Sequence, residues 1–507
     1  VRPLATREEQ ELRDFNGQTV REFATEAAAC RAAHREWSTR SVSARLASLR
    51  ELRHLLVEHA DAISDAVHAD IGRPVVDVVG TELLPTAAAI KYLEKEAERI
   101  LAPRRIARRL RPLWLWGCRD AVHHRPWGVV GIIGTWNYPV YLNVVQIAQA
   151  VAAGNGVLWK PSENAPRTAD LTHQLLLKAG LLPNLVVKLP ATREGGAQLA
   201  EADIDHVVFT GSDRVGRMLA ARLGERLIPS TLELSGIDAM FVLEDADVAL
   251  AAQAAWFALT LNRGQTCIAV RRIFVHRTVL PAFVDALKPL AEAAGPVNLV
   301  TPGQVAQATK LIENAVAAGG SHLAGSGEAI RPTVLLDAPA SAAIFREACF
   351  APIAGVVPFD SIDTALSLAA ESPFGLSCSI FTKNAGAAET LAARIPAGSV
   401  VINDVIAPTA HPATPFGGRG ASGWGVTQGE EGLLAMTVPQ VVTVRSGRFR
   451  PHFEEAVTPD PATLAVLQGL LQASHGRGFA RRLAGWWKLL SAMRRKGTNA
   501  VADASGS

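Results

Sequence analysis

The sequence predicts an α/β protein built from two doubly wound α/β domains. Three observations carry this. At 507 residues the chain is too long for one hydrophobic core. From Trp127 onward, short β-branched runs alternate with helical stretches, the pattern of parallel sheets. The alternation pauses at Glu233 and then resumes, which places this residue near a hinge between two domains.

Residues 18–100 are rich in Ala, Leu, Glu and Arg, with Leu46, Leu49, Leu52 and Leu56 at helical spacing, and read as a set of helices. The basic, Trp-containing stretch 104–127 breaks that pattern. Next come the strands Val129–Ile133, Gly156–Lys160, 186–189 and 206–209, with helices over 140–153 and 166–179. After Glu233 the strands resume at 239–242, 272–275, 354–357, 378–381 and 399–402. Residues 439–444 form a lone late strand, and about sixty residues follow it.

Forty-nine per cent hydrophobic and 20% charged residues fit a soluble globular enzyme. A net charge of +3 argues against a dedicated nucleic-acid binder. The charge is uneven, however: 104–119 holds six arginines and no acid, and 461–502 has no Asp or Glu. Five scattered cysteines without CxxC spacing argue against a zinc site or a disulfide framework, so no metal is expected. The start, Val1-Arg2-Pro3-Leu4, lacks the apolar core of a signal peptide, and no apolar run reaches a membrane span. A cytoplasmic protein is expected.

Cys267 ends the run Asn262-Arg263-Gly264-Gln265-Thr266-Cys267, thirty-four residues after Glu233 in Thr231-Leu232-Glu233-Leu234-Ser235-Gly236. A thiol and a carboxylate, each in a Gly-containing turn, suit chemistry that passes through a thioester and ends in hydrolysis. A lone cysteine is more often a small buried hydrophobe. Glu233 alone could be a surface carboxylate, but its flanks suggest a strand end entering a turn, where partial burial makes a better base. Asn137, in Gly134-Thr135-Trp136-Asn137-Tyr138-Pro139, can donate to an oxyanion or cap a helix starting near Pro139.

Together these segments resemble the aldehyde dehydrogenase superfamily, in the expected order from about residue 40 to about residue 445. The resemblance implies that Cys267 is the nucleophile, that Asn137 joins the Cys267 N–H as an oxyanion hole, and that Glu233 activates the hydrolytic water. It also implies a β-arm for oligomerisation at 111–127 and 437–447, a cofactor domain at 1–110 and 128–234, a catalytic domain at 235–436, and an extension at 448–507. A homodimer or higher homo-oligomer is expected. The segment Pro415–Gly425, with Asn403-Asp404-Val405 ahead of it, is similar in wording to the class 3 branch, whose members oxidise aromatic and medium- to long-chain aliphatic aldehydes.

By the same resemblance, Lys160 and Glu163 of Lys160-Pro161-Ser162-Glu163 hold the adenine ribose, and Trp136, Ser162 and Phe350 border the cofactor. Gly211, Ser212, Val215 and Gly216 follow a strand and open a helix, whose N-terminus can face a pyrophosphate. NAD is the expected cofactor, with NADP as an open alternative, because Glu163 repels a 2′-phosphate. Two departures stand out. Ala348 takes the place of the carboxylate that usually holds the nicotinamide ribose, with Glu347 one residue off. Ser235 replaces a Gly beside Glu233, where it either crowds the turn or donates to the carboxylate. A competing reading makes the chain a degenerate member kept for partner or membrane binding.

In the extension, a helix over 479–496 gathers Phe479, Leu483, Trp486, Trp487, Leu490 and Met493 on one face, with Arg481, Lys488 and Arg495 opposite. Such a stripe either packs on the enzyme or across a dimer, or lies in a membrane interface.

Overall fold

The computed structural model describes residues 23–324, 330–447 and 461–504. The first four residues of the chain and the side chain of Arg495 lie outside the described residues. The chain divides into two compact units, one of residues 1–101 and 125–438, the other of 102–124 and 439–507.

In the larger unit the N-terminal helices Ala24–Trp37, Val42–Glu58, Ala60–Ile71 and Leu84–Leu101 bury Trp37 and the leucines at 46, 49, 52 and 56. Ser41 caps the second of these helices by accepting from the Ala44 N–H, which satisfies one of its unpaired donors.

Strands are numbered along the whole chain. Arg104–Arg105 (β1) and Cys118–Pro126 (β2) come first. The first large sheet contains Val129–Ile133 (β3), Gly156–Lys160 (β4), Val186–Lys188 (β5), His206–Thr210 (β6) and Ser230–Glu233 (β7). Their order is β7-β6-β3-β4-β5, all parallel, so the winding reverses between β3 and β6. That reversal opens a crevice at the carboxyl ends of the strands, where α/β sheets bind ligands. All five residues of β3 and of β4 are buried, as expected for strands covered on both faces.

The second sheet takes Asp238–Val242 (β8), Val270–His276 (β9), Ser321–His322 (β10), Thr333–Leu336 (β11) and Ile353–Phe359 (β12). After the short Phe374–Gly375 (β13) it adds Ser377–Phe381 (β14) and Ser399–Ile402 (β15), in the order β10-β11-β12-β9-β8-β14-β15. Only the β10–β11 pair in it is antiparallel. Arg419–Gly420 (β16) pairs with β13. Gly423–Trp424 (β17) then returns to the first sheet, pairing antiparallel with β7 through Gly423↔Glu233 and Trp424↔Leu232. The helix Gly429–Ala435 follows, and its Leu433 is buried in the core of the first domain.

In the smaller unit β1, β2 and Thr437–Arg445 (β18) form a three-stranded sheet with β18 at the edge. Helices Pro461–His475 and Phe479–Ala504 make a hairpin around Val466, Leu470, Leu489 and Ala492. Gly485 lets the two backbones meet, since a Cβ there would lie 2.3 Å from the Ala473 nitrogen. Phe479, Leu483, Trp486, Trp487, Leu490 and Met493 are outside this seam and exposed. No described helix is long and apolar enough to cross a membrane.

Candidate active site

The turn that carries Cys267 is wound the left-handed way. Asn262, Arg263 and Gly264 have φ of 49°, 59° and 73°, a conformation that L residues other than Asn rarely adopt. Gly264 is required twice, because a Cβ there would also lie 2.4 Å from the Pro352 nitrogen. The strained turn is tied down on several sides: Asn262 Nδ2 donates to Asn137 O, Arg263 donates to Ile71 O and Asn298 O, and Arg271 donates to Gly264 O. Cys267 itself is part-exposed. Burial first, then the charge of Glu233, pushes its thiol up to about 12, so the resting group keeps its proton.

Asn137 is 2% exposed and faces this turn. The helix beyond it starts at Tyr141 without a side-chain cap, so Asn137 does not cap it. Instead its Oδ1 accepts from the Thr135 hydroxyl at 2.8 Å and its Nδ2 donates to Gln265 O at 3.0 Å. An amide nitrogen carries two hydrogens, so one stays available. Behind Asn137 lies a buried ion pair: Arg73 Nη1 donates to Glu82 Oε1 at 2.9 Å and to Asn137 O at 3.1 Å. The other Glu82 oxygen accepts the backbone N–H groups of Val140 and Tyr141 at 2.7 and 3.2 Å. Burial raises Glu82 while Arg73 and these N–H groups oppose it. The pair fixes the main chain on both sides of Pro139. No periodicity in the sequence pointed to Arg73 or Glu82.

Glu233 ends β7 and is 3% exposed. Its Oε1 accepts from Thr427 Oγ1 at 2.5 Å, and Thr210 also helps to hold the ionised form. Burial outweighs both hydroxyls and lifts the carboxyl to about 7. Oε2 has no hydrogen-bond partner among the described residues. Thus the hydroxyls at Glu233 are those of Thr427 and Thr210, while Ser235 uses its carbonyl to accept from Ser422 Oγ at 2.8 Å. Asn137, Glu233, Cys267, Thr210, Phe350 and Phe416 line one small cavity of about 30 Å³. That is enough for a water molecule.

A second cavity of about 190 Å³ also reaches Cys267 and shares Leu142 and Phe416 with the first. Tyr138, Tyr141, Leu142, Phe257, Ile406 and Phe416 dominate its wall, and among the described residues no charged side chain lines it. Ile406 holds φ 54°, an outlier for a β-branched residue, where backbone strain shapes the wall.

A cleft of about 660 Å³ between the two domains is lined by Trp136, Gly211, Ser212, Ser235, Ala348 and Phe350. Ser212 caps the helix Asp213–Glu225, its Oγ accepting from the Val215 N–H at 3.4 Å, and Ser212, Asp213 and Arg214 bring this helix start to the cleft wall. Arg214, Arg217 and Arg346 add positive charge to the lining, which the sequence reading missed. Glu347 lines the same cleft as Ala348, so a carboxylate is present beside the gap left by alanine. Val215 and Gly216 lie inside the helix rather than on the wall, Gly216 packing against Leu234. Lys160 and Ser162, at the end of β4, are also off this wall and buried, and Lys160 Nζ reaches Glu163 Oε2 at 3.2 Å. Although burial opposes it, the Glu163 backbone N–H and Lys160 hold the Glu163 carboxyl below its usual value.

A thiol, a carboxylate and an amide thus surround one small cavity, beside a larger cleft, in a two-domain α/β frame. The family model for the aldehyde dehydrogenase family matches residues 4–442, and the chain belongs to that family. It is therefore an enzyme of aldehyde oxidation. The chain is 32% identical over 414 residues to 4,4'-diapolycopene aldehyde oxidase of Methylomonas sp, covering 80% of this chain and 78% of that protein. It is 30% identical over 442 residues, 84% of each chain, to a Mycolicibacterium smegmatis relative named, as a provisional assignment, succinate-semialdehyde dehydrogenase [NADP(+)]. A Mycobacterium tuberculosis aldehyde dehydrogenase complexed with NAD+ superposes with a TM-score of 0.78 at 28% identity, covering 84% of this chain and 90% of that one.

Proposed function

We propose that the chain oxidises an apolar aldehyde to its carboxylic acid through a thioester on Cys267. The observation that carries the reading is the shared cavity of Asn137, Glu233 and Cys267. The Cys267 sulfur attacks the carbonyl carbon, and its proton passes to Glu233, whose carboxyl near 7 can take it up. The spare Asn137 Nδ2–H and the Cys267 N–H hold the oxyanion. Trp136, Phe350 and the helix start at Ser212 would hold NAD or NADP, which would supply the hydride acceptor that oxidation to the Cys267 thioester requires. After Glu233 has returned its proton to solvent, its unpartnered Oε2 takes a proton from water in the small cavity. The water oxygen adds to the thioester, and collapse releases the acid and the Cys267 thiolate. With its carboxylate base in place, this arrangement favours hydrolysis over transfer to CoA.

The cleft fits a dinucleotide because it combines the positive dipole end of the helix Asp213–Glu225, the cations Arg214 and Arg217, and aromatic walls at Trp136 and Phe350. Lys160 and Glu163 suit the adenine ribose, and the carboxylate of Glu163 favours NAD over NADP. A homodimer or higher homo-oligomer fits the exposed edge strand β18. Peripheral contact with a membrane surface fits the exposed stripe of 479–496. Reading the departures as marks of a degenerate protein gains nothing from this geometry, since the three reacting groups share one cavity.

The uncharged 190 Å³ cavity speaks for an apolar substrate, because a carboxylate buried there without a partner costs several kcal/mol. NADH formation with decanal or benzaldehyde is expected to exceed that with succinate semialdehyde by at least about a hundredfold in kcat/KM. Equal rates with the semialdehyde sink the substrate reading, and neither NADH nor NADPH with any aldehyde sinks the catalytic one.

A further inference from the structure

Resting on the peripheral-contact reading above, we infer that the smaller unit is a docking module for an anionic lipid bilayer. Its hairpin spends Val466, Leu470, Leu489 and Ala492 on the seam between the two helices. The neighbouring face over 479–493 stays in solvent, with Phe479 82% and Trp487 69% exposed and Trp486, Leu483, Leu490 and Met493 between 41% and 50%. On the helix before it, Leu464, Leu467 and Leu471 are exposed too, at one- and two-turn spacing. Scattered exposed leucines are ordinary, whereas aligned rows with adjacent tryptophans mark an interaction surface.

Charge selects the occupant. Residues 461–502 carry seven Lys or Arg and no Asp or Glu. A second copy docking by this face brings like charges together, which opposes a dimer here. In the same unit, Arg108, Arg109, Arg111 and Arg119 line a concavity of about 630 Å³ with Trp116. Trp114 and Trp116 are 56% and 76% exposed. Guanidinium groups pair with phosphate in bidentate fashion. Tryptophan settles at the level of lipid headgroups, and leucine and phenylalanine enter the acyl boundary beneath. Duplex nucleic acid satisfies the arginines but offers no apolar layer to the leucines. An anionic bilayer satisfies both. Such docking holds the enzyme where apolar aldehydes partition.

The test is sedimentation of the full chain with phosphatidylcholine vesicles, with or without phosphatidylglycerol. The unmodified protein pellets with the anionic vesicles. Its partition falls at least about tenfold in Trp486→Ser/Trp487→Ser, in Arg108→Ser/Arg109→Ser/Arg119→Ser, and in about 1 M salt. Both variants keep dehydrogenase activity on a water-soluble aldehyde, which shows that they are folded. Equal pelleting with pure phosphatidylcholine overturns the anionic docking and leaves peripheral contact standing. No pelleting with any vesicle overturns both, as does duplex DNA retention without vesicle binding. Undiminished pelleting of either variant removes its residues from the docking face.

Discussion

At the scale of single residues, the local motifs were legible and their long-range partners were not. Cys267 and Asn137 sit in short runs whose composition suits a turn and an amide donor, so the sequence pointed to them. Thr427, which holds Glu233, lies 194 positions further along the chain, and no local pattern can couple the two. Arg73 and Glu82 escaped for the same reason. Cys267→Ala is expected to abolish turnover, read as loss of NADH formation. Glu233→Gln is expected to give a burst of NADH and then slow turnover. Because burial raises Glu233 to about 7, ionised base accumulates as pH rises through that value. Deacylation in the unmodified enzyme therefore climbs across about pH 6 to 8, while the Gln variant stays flat in stopped-flow traces. A climb that persists in the variant assigns the titration to another group. Glu82→Gln leaves Arg73 buried without its counter-charge and is expected to cost about 3–5 kcal/mol in denaturant unfolding. At the cofactor cleft, Ala348→Glu is expected to tighten NAD binding about tenfold or more, the worth of one charge-assisted hydrogen bond. Unchanged titrations mean that Glu347, on the same wall, already fills that role.

At the scale of elements, β-branched runs located β3, β4, β5 and β6 of the first sheet and β8, β9, β12, β14 and β15 of the second, because buried parallel strands leave a dense local signal. β10, β11 and β17 were missed. β17 has only two residues, and its identity comes wholly from pairing with β7. The turn 262–264 was read as Gly-containing, but its left-handed winding follows from packing against Pro352. Gly264→Ala places a methyl group against that nitrogen at φ 73°. It is expected to destabilise the fold by about 1–3 kcal/mol and to displace Cys267. Alkylation of Cys267 by iodoacetamide then changes rate by more than the small shift in melting temperature accounts for. An unaltered alkylation rate shows that the turn absorbs the methyl group without moving the thiol.

At the scale of the whole molecule, β18 presents an open edge with Val441, Val442 and Val444 exposed, a template for pairing with a second chain. Val441→Lys/Val444→Lys is expected to convert an oligomer to monomer in light scattering, and unchanged mass means that assembly uses another surface. Composition alone points to no assembly surface, because an edge strand and a covered strand share it; the arm at 111–127 and 437–447 came from the family resemblance. The return of β17 to the first sheet reaches beyond catalysis, into how the protein is made. On the ribosome, β7 is complete about 190 residues before Gly423 and Trp424 emerge, so the nascent first domain waits with an unpaired flank and no Thr427 hydroxyl for its buried acid. Closure of that flank is a late, non-local event of the slow kind, and until then the exposed strand is open to mispairing with neighbouring nascent chains. Translation that stalls before residue 423 therefore yields a fragment inclined to aggregate, whereas a chain that extends past Met436 carries β17, Thr427 and Leu433 and can close its first domain.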